Sequence, residues 1–305
     1  MKISLVVMAA GLGSRYGGSK QVDGVGPNNE ILMEYSIYDA IRAGFNKVVF
    51  IIKPEMEEMM RRLCGDYVAG KTAKDGSPVE VAYAFQDFSS VPAFYSIPPE
   101  RTKPFGTVHA LLCAKNEVEG PCCVINADDY YGVDAYQTMY DALLALPAEG
   151  QAVMVGYHLK NTASLHGTVS RGVCTMAGET LVGIRETKKI QLYPDGSLRD
   201  LTRDCPLEPD SVVSMNFWGF APSIFSVLET YFENFLRCEA GEDLTAECLL
   251  PVMVDHEMKT GTLEVSVLRS ADKWFGMTYQ EDRAIVREAL RQLHAEGVYP
   301  ASLRA

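Results

Sequence analysis

Residues 3–21 begin with the run Ile3-Ser-Leu-Val-Val-Met8 and continue as Ala9-Ala-Gly-Leu-Gly-Ser-Arg-Tyr-Gly-Gly-Ser-Lys-Gln21. The first run is mostly apolar and β-branched, which predicts a buried strand. In the second run, four glycines leave backbone N–H groups open to an approaching anion, because no Cβ atom shields them. Arg15 adds a planar guanidinium and Lys20 a compact ammonium charge. The stretch therefore predicts a strand that leads into a loop suited to a triphosphate.

Two well-known glycine-rich loops do not match this stretch. A Walker A loop needs a lysine directly after its second glycine, but Ser19 follows Gly18 and Lys20 comes one position late. The dinucleotide-binding pattern G-x-G-x-x-G needs a glycine where Tyr16 stands. Each pattern fails by one residue, so neither explains the loop.

The pattern that does fit is that of the sugar-phosphate nucleotidylyltransferases, which the stretch resembles. Their loop has a turn of small residues, then Gly-x-Gly-Ser/Thr-Arg, a short spacer and a lysine, and the match is specific over residues 9–21. The resemblance implies that loop amides and Arg15 hold the β- and γ-phosphates of a nucleoside triphosphate. It also implies that Lys20 stabilises the charge at the α-phosphate, which makes both cations catalytic. The implied nucleotide-binding residues are Ala9, Ala10, Gly11, Leu12, Gly13 and Ser14.

The rest of the chain alternates apolar runs with helical patterns, which predicts parallel strands joined by right-handed helical crossovers. The predicted strands are residues 3–8, 47–53, 79–86, 122–126, 153–159 and 263–268. The predicted helices are residues 31–44, 54–65, 106–117, 134–146 with Asp134 as its cap, 223–236, 244–254 and 278–296 with the capping box Thr278-Tyr-Gln-Glu281. Short runs separated by Ala-Gly-Glu and Pro-Asp-Gly between Val169 and Ser214 predict antiparallel hairpins.

These elements predict an α/β fold. We expect a mixed, mostly parallel, Rossmann-like sheet with helices on both faces and an antiparallel insertion. Because no linker interrupts the pattern, residues 1–305 are predicted to form a single domain. Residues 1–150 or so would bind the nucleotide and about 151–280 the acceptor, with the C-terminal helix at 278–296.

Carboxylates follow the strand that ends at Asn126. In an open parallel sheet, ligands bind outside the carboxyl ends of the strands. Asp128 comes directly after this apolar strand, and Mg²⁺ takes one or two carboxylates and completes its shell with water and substrate phosphate. The resemblance makes Asp128 the catalytic metal ligand, with Asp129 second or a helix cap. Asp272 falls where a second metal-binding aspartate is often found in that family.

Three residues resemble the base-binding part of that family. Gly106 and Thr107 open a helix in a Gly-Thr-Val-His-Ala segment whose glycine lets the base approach the backbone, and Gln86 resembles a base-reading glutamine. The stretch between Gln86 and Gly106 is longer than in the thymidylyltransferases. Its part from Ser89 to Pro104 has four prolines and no periodicity, and the length of this loop suggests a lid over the substrate. His109 is predicted to be a structural histidine, since an acceptor phosphate is already anionic and needs no base.

The acceptor site is implied by the second half of the chain. Glu186 and Lys188, in Ile184-Arg-Glu-Thr-Lys-Lys, resemble the family's sugar-phosphate segment, and Asn216 parallels a residue that lines the sugar pocket. The resemblance spans roughly residues 1–280 and is far more specific over the first 135.

Composition excludes several classes of protein. The net charge of −12 argues against nucleic acid as a partner. The sequence has no apolar stretch of membrane-spanning length, and its N-terminus lacks the features of a signal peptide. The eight cysteines lack CxxC spacing, which indicates structural thiols in a reducing cytoplasm. The oligomeric state stays open and includes a homo-oligomer.

The expected function is transfer of a nucleoside monophosphate from a triphosphate to a phosphorylated acceptor, with Mg²⁺ as cofactor and release of pyrophosphate. A sugar 1-phosphate, and hence nucleotide-sugar biosynthesis, is the first choice. Cytidylyl transfer to a phosphorylated alcohol such as phosphocholine is the alternative. Two other classes stay open. A metal-dependent glycosyltransferase would usually carry Asp-x-Asp where Asp128-Asp129-Tyr130 stands, and a non-catalytic nucleotide sensor would be expected to lack Lys20 or Asp128.

Overall fold

A computed structural model describes residues 1–11, 24–241, 243–270, 272–276 and 281–304. The predicted site residues Leu12, Gly13, Ser14, Arg15 and Lys20 lie outside the described residues, as does Thr278 of the predicted capping box.

The strands follow the predicted apolar runs closely in the first half of the chain. They are β1 (Ser4–Met8), β2 (Lys47–Ile52), β3 (Glu80–Phe85), β4 (Cys122–Asn126), β5 (Asp129–Tyr130), β6 (Gln151–His158), β7 (Val169–Ala177), β8 (Thr180–Leu192), β9 (Leu198–Asp200), β10 (Cys205–Leu207), β11 (Val212–Phe220), β12 (Glu264–Arg269) and β13 (Phe275–Gly276).

Most of these strands form one mixed sheet. Its order is β10-β9-β8-β12-β6-β11-β4-β1-β2-β3, with β7 paired to β11 and β8, and β5 and β13 form a separate two-stranded sheet. Parallel pairs join β4, β1, β2 and β3, and β6 with β12. The remaining pairs between described strands are antiparallel.

The mixed sheet is therefore confirmed, but its mostly parallel, Rossmann-like character is not. Strand β11 runs antiparallel between β4 and β6. Strands β7 to β10 add antiparallel pairs, because short turns connect them and a parallel pair would need a long crossover. Parallel pairing is thus concentrated around β1.

The helices cover both faces of the sheet. They are α1 (Leu32–Ala43), α2 (Glu57–Met60), α3 (Asp66–Ala69), α4 (Thr107–Cys113), α5 (Val133–Ala145), α6 (Ile224–Phe235), α7 (Leu250–Thr260) and α8 (Asp282–Ala295). Alternate residues of β1 point to opposite faces: Leu5 and Val7 pack with α1 and α5, and Val6 packs with α4, α6 and α7. Burial on both faces is what a central parallel strand requires. Among the described residues, every helix is too short or too polar to cross a lipid bilayer.

One predicted helix, residues 244–254, is displaced: the observed helix covers residues 250–260. Residues 244–249 are not helical, and α7 begins at Leu250, with Pro251 in its first turn. The segment before it is held by tertiary contacts instead: the Cys248 N–H donates to the Phe105 carbonyl at 2.8 Å. Proline suits the first turn of a helix, where its missing N–H costs nothing.

Two other helix boundaries differ from the prediction. The helical segment from Pro54 extends to Ala69 rather than ending near Gly65, because α2 and α3 are joined by one π-helical stretch at Arg61–Gly65. Helix α5 has Gly132 as its N-cap, so the predicted cap, Asp134, lies inside the first turn.

A third apolar cluster joins the C-terminal segment to α1 and β5. Its buried members are Val25, Leu32, Tyr35, Tyr130, Val286, Leu290, Tyr299 and Leu303. The Arg304 guanidinium donates to both carboxylate oxygens of Glu34, at 2.6 and 2.8 Å. The end of the described chain is therefore packed against the helix that follows the glycine-rich stretch.

Candidate functional site

The two strand ends with suspected functional residues lie side by side. Met8 of β1 pairs with Asn126 of β4, and the Ala127 N–H donates to the Met8 carbonyl. The segments Ala9–Gly11 and Ala127–Asp129 therefore leave the sheet at the same level. Ala9 and Ala10 are buried and Gly11 is exposed, which places the start of the predicted phosphate loop at this edge.

Asp128 and Asp129 differ in burial. Asp128 is partly exposed, whereas Asp129 is buried. The Asp129 carboxylate accepts a hydrogen bond from the Asn126 side-chain amide at 2.9 Å and lies 3.2 Å from the Tyr131 hydroxyl. These bonds satisfy a buried carboxylate that would otherwise be costly. Asp128 is thus the more accessible ligand for a cation.

Asn216 belongs to the same network. It adopts φ +62° where the pairing of β11 with β6 is interrupted between Ser214 and Trp218. Its side-chain N–H donates to the side-chain oxygen Oδ1 of Asn126 at 3.3 Å, and its own Oδ1 accepts from the Trp218 indole N–H at 3.1 Å. Left-handed backbone is uncommon for residues other than glycine and collects at functional sites. The predicted acceptor residue Asn216 therefore sits beside the end of β4.

Asp272 caps a helix. One of its carboxylate oxygens accepts from the Ala135 N–H in the first turn of α5 at 2.8 Å, and from the Ser270 hydroxyl at 3.1 Å. Burial raises the pKa of this carboxyl, and the two hydrogen bonds oppose the rise. Gly132 must lack a side chain here, since its φ is +93° and a Cβ would lie 2.1 Å from the Asp272 Cβ. Asp272 thus takes the capping role predicted for Asp134.

The residues predicted to bind the base come together after β3. Gln86 is buried, and its side-chain amide donates to the Gly106 carbonyl at 3.1 Å. Gly106 has φ +89°, and a Cβ there would lie 2.7 Å from the Cys248 carbonyl oxygen, so glycine is required by packing. The Thr107 hydroxyl accepts from the Leu250 N–H at 2.7 Å, at the start of α7.

Glu186 and Lys188 lie on β8, in the antiparallel part of the sheet. Both are exposed, and Thr187 between them is buried, so the two charged side chains share one face of the strand. Glu186 pairs in register with Gly172 of β7. The strand pairing therefore joins this predicted acceptor segment to Arg171.

His109 is a structural residue, as predicted. It is fully buried, its ring lies 2.9 Å from the Ser90 hydroxyl, and it stacks on Phe232 at a centroid distance of 5.2 Å. Burial lowers its pKa to about 4, so it is neutral near pH 7. A neutral histidine enclosed by aromatic rings does not reach a substrate.

Two residues that the sequence did not single out, Arg171 and Trp274, lie at this side of the site. The Arg171 guanidinium lies over the Trp274 ring, 5.0 Å from its centroid. Burial lowers the pKa of Arg171, and the carboxylates that oppose this shift are Asp129, Glu186 and Asp282. Arg171 therefore interacts electrostatically with Asp129 in the turn after β4 and with Glu186 in the predicted acceptor segment. The available signal is that Trp274 stands two residues after Asp272, in Asp272-Lys-Trp-Phe-Gly276.

The described residues suit an oxygen-binding cation such as Mg²⁺ only in part. No three histidine, cysteine, aspartate or glutamate side chains among them converge on one point. Mg²⁺ needs no such cluster, because water and substrate phosphate complete its shell. Asp128 offers a partly exposed carboxylate at the strand end. Asp272 could contribute only its other oxygen, since Oδ2 already accepts two hydrogen bonds.

The sequence of the chain matches a known protein family. Residues 5–187 match the nucleotidyl transferase family, and this range includes β1, the Asp128 turn and the Glu186 segment. The chain belongs to the nucleotidyl transferase family. The resemblance seen in the loop sequence is thereby confirmed. No curated protein matches this nucleotidyl transferase significantly.

Solved structures share the fold of this nucleotidyl transferase. One, from Bacillus anthracis, is described as a glucose-1-phosphate thymidylyltransferase in complex with sucrose, with a TM-score of 0.60, 14% identity and coverage of 99% of this chain and 98% of that chain. A second is described as the inositol-1-phosphate CTP transferase of T. maritima, with a TM-score of 0.60, 12% identity and coverage of 98% of this chain and 98% of that chain. A third is described as a UDP-glucose pyrophosphorylase complexed with UDP-glucose, with a TM-score of 0.56, 14% identity and coverage of 96% of this chain and 99% of that chain. At these identities the likeness concerns the fold.

Proposed function

We propose that this chain transfers a nucleoside monophosphate from a nucleoside triphosphate to a phosphorylated acceptor, a sugar 1-phosphate in the first instance, and releases pyrophosphate. The observation that supports the proposal is the pairing of Met8 with Asn126, because the described start of the glycine-rich stretch, Ala9–Gly11, and the Asp128 turn follow these two paired residues at one edge of the sheet. Membership of the nucleotidyl transferase family supports it.

In this proposal the reaction is an in-line displacement. A phosphate oxygen of the acceptor forms a bond to the α-phosphorus, the bond from that phosphorus to the β-phosphate oxygen breaks, and pyrophosphate leaves. Positioning and neutralisation of charge are sufficient, since the attacking phosphate is already anionic. The burial of His109, with its pKa near 4, agrees with a mechanism that uses no histidine base.

Each group of residues has a separate task in the proposal. Asp128, with the second oxygen of Asp272, would hold Mg²⁺, which supplies charge neutralisation at the phosphates. Loop amides, Arg15 and Lys20 would hold the triphosphate. Gln86, Gly106 and Thr107 would form the base pocket, while Glu186, Lys188 and Asn216 would contact the acceptor.

We propose further that residues 1–305 act as one domain, with the nucleotide bound by the first half and the acceptor by residues of about 151–280. A cytoplasmic location is supported by the cysteines. All eight lie in the described ranges and are free thiols, and most of them are buried.

The test is a grid of four nucleoside triphosphates against phosphorylated acceptors, with Mg²⁺ or with EDTA, read out as pyrophosphate. The acceptors are glucose 1-phosphate, mannose 1-phosphate, inositol 1-phosphate and phosphocholine. We expect pyrophosphate for one triphosphate with a sugar phosphate, and none with EDTA. Turnover with CTP and phosphocholine alone would favour the phosphorylated-alcohol alternative. Triphosphate binding without any pyrophosphate would contradict the proposal.

A further inference from the structure

A cavity of about 330 Å³ lies beside strand β13 of the two-stranded sheet β5–β13. Its walls come from the loop at residues 161–166, from β7, from residues 273–276 and from the start of α8. This volume is at the lower end of the range for small-molecule sites, enough for part of a ligand.

The cavity adjoins the candidate active site through β13. Gly276, which lines the cavity, pairs with Asp129, and the Phe275 ring stacks on Tyr130 with centroids 5.5 Å apart. A molecule in the cavity would therefore share a wall with the turn that carries Asp128. This places the cavity where the far end of an acceptor could reach.

Arg171 is a fixed positive charge on the cavity wall. Its guanidinium donates to the Ser170 carbonyl at 2.8 Å, and its Nε to the Thr162 carbonyl at 3.1 Å, with Nη2 on the same carbonyl. No carboxylate of the described residues bonds to it directly. Its hydrogen-bond partners among the described residues are neutral carbonyls, so its guanidinium charge is not neutralised by a direct ion pair and remains available to an anion.

The other lining groups favour the same ligand. Lys273 is exposed and makes no hydrogen bond or ion pair within the described part of the chain. Asp282 is the carboxylate opposite, and it accepts from the Ser164 hydroxyl at 2.9 Å. Trp274 is 8% exposed, and its buried indole N–H has no acceptor among the residues that the structure describes. Two cations, Arg171 and Lys273, therefore line the cavity with one carboxylate, Asp282, while Asp129 and Glu186 act on Arg171 from outside the lining.

We propose that this cavity binds the end of the acceptor remote from its reacting phosphate, and that this end carries a second negative charge, a carboxylate or a further phosphate. The inference rests on the proposed function and narrows its substrate class. A quaternary ammonium group such as that of phosphocholine is disfavoured, because Arg171 already occupies the Trp274 ring face on which such a cation would stack.

The test compares two pairs of acceptors that differ in one charge: glucose 1-phosphate with glucuronate 1-phosphate, and glycerol 3-phosphate with 3-phosphoglycerate. Affinities are measured by calorimetry with Mg²⁺ and each of the four α,β-methylene triphosphates in turn, so that no turnover is needed. In at least one pair we expect the acceptor with the carboxylate to bind about tenfold more tightly, a difference of about 1.4 kcal/mol.

Two substitutions test whether the preference for the acceptor with the carboxylate arises in this cavity. Lys273→Met and Arg171→Met should each remove most of the preference and leave the affinity for the uncharged member nearly unchanged. Lys273 carries the decisive test, since it makes no bond that the fold needs, whereas Arg171 also holds the loop at residue 162. Lys74→Met is the matched control, because Lys74 is exposed and does not line the cavity.

Failure of this inference is distinguishable from failure of the proposed function. Equal binding within both pairs, a preference that survives Lys273→Met, or tighter binding of phosphocholine than of any anionic acceptor would overturn the inference while turnover continued. Selective binding of the anionic acceptor without pyrophosphate from any triphosphate would instead contradict the proposed function and keep the cavity as an anion site.

Discussion

Asp128 and Asp129 are neighbouring carboxylates with different surroundings. The Asp129 carboxylate is buried and bonded to Asn126 and Tyr131, so its contribution is to hold the turn together. Asp128 is partly exposed at the same strand end. The family resemblance ranks Asp128 first, because the strand–Ala–Asp arrangement aligns Asp128 with the family's metal-binding aspartate, and the difference in burial agrees with that ranking.

Asp128→Asn should fold normally and lose most Mg²⁺-dependent turnover, because the amide keeps the shape of the side chain and removes its charge. We expect kcat to fall on the order of 10²–10³-fold. Initial rates over a Mg²⁺ titration, together with the thermal midpoint, measure this. Asp134→Asn is the control, since Asp134 is exposed in the first turn of α5 and its loss should cost at most about 1 kcal/mol of stability. Near wild-type activity of Asp128→Asn at limiting Mg²⁺ would remove Asp128 from the metal site.

Arg15 and Lys20 lie outside the described residues, and their separate roles follow from the loop sequence. Lys20→Ala should depress kcat by about 10²–10³-fold, equivalent to about 3–4 kcal/mol, if Lys20 stabilises charge that accumulates in the transition state. Arg15→Ala should raise the KM for triphosphate at least as much as it lowers kcat. Lys20→Arg should not restore the rate, because a planar fork does not replace a compact ammonium. A normal kcat with weaker triphosphate binding in Lys20→Ala would make Lys20 a binding residue.

At the scale of elements, the long connection from Ser89 to Pro104 is anchored rather than free along its length. Arg101 is 3% exposed, and its guanidinium donates to the carbonyls of Asp243 and Ala246, at 2.7 and 2.6 Å. It also lies over the Phe105 ring, 3.7 Å from the centroid. The loop is therefore attached near its C-terminal end to the segment that precedes α7, and it is held earlier as well, since the Tyr95 hydroxyl donates to the Gly241 carbonyl at 2.8 Å.

Arg101→Met should destabilise the protein by about 2–4 kcal/mol, because it removes the hydrogen bonds of a buried guanidinium to the Asp243 and Ala246 carbonyls and its contact with the Phe105 ring. Lys103→Met on the same loop is the control. Lys103 forms a surface ion pair with Glu247 at 3.1 Å, and such pairs contribute about 0–1 kcal/mol. Urea unfolding of both variants measures the difference. Equal destabilisation by the two substitutions would show that Arg101 does not anchor the loop.

Across the whole molecule, the C-terminal segment braces the candidate site. The Tyr299 hydroxyl donates to Asp39 of α1 at 2.6 Å and lies 2.8 Å from the Tyr130 hydroxyl, next to Asp129. Asp39 is buried, and this burial raises its pKa to about 8 despite the bond from Tyr299 and the charge of Arg42. In the unfolded chain its pKa is close to the ordinary 3.8.

The native state therefore binds a proton at Asp39 that the unfolded state releases. This contribution to stability is complete below about pH 4 and is lost as the pH rises through about 8. The free energy of unfolding should fall with pH in that window by up to about 1.4 kcal/mol per pH unit from this group. Asp39→Asn should flatten the slope, measured by urea unfolding between about pH 5 and pH 8. The control is Asp66→Asn, an exposed site, and identical slopes for wild type and Asp39→Asn would refute a protonated Asp39.

The local pattern of the chain is sufficient to predict the strands around β1, the helices between them and the position of Asp128 after the end of β4. Those features depend on neighbouring residues: apolar alternation makes the strand, and the residues after it occupy the carboxyl edge. The family resemblance assigns Gln86 and Gly106 to the base pocket, and the structure joins these two residues by a hydrogen bond at 3.1 Å, while packing against Cys248 requires the glycine.

Contacts between distant segments fixed what the pattern left open. The start of α7 depends on Phe105 and Thr107, the cap of α5 comes from Asp272, and Arg171 meets Trp274 across about a hundred residues. The antiparallel β11 between β4 and β6 likewise follows from which edges remain to be paired. No local rule gives these results, because each free energy depends on a partner that the fold brings close. The fields around Arg171 and Asp39 arise in the same way, from burial among residues that are remote in sequence.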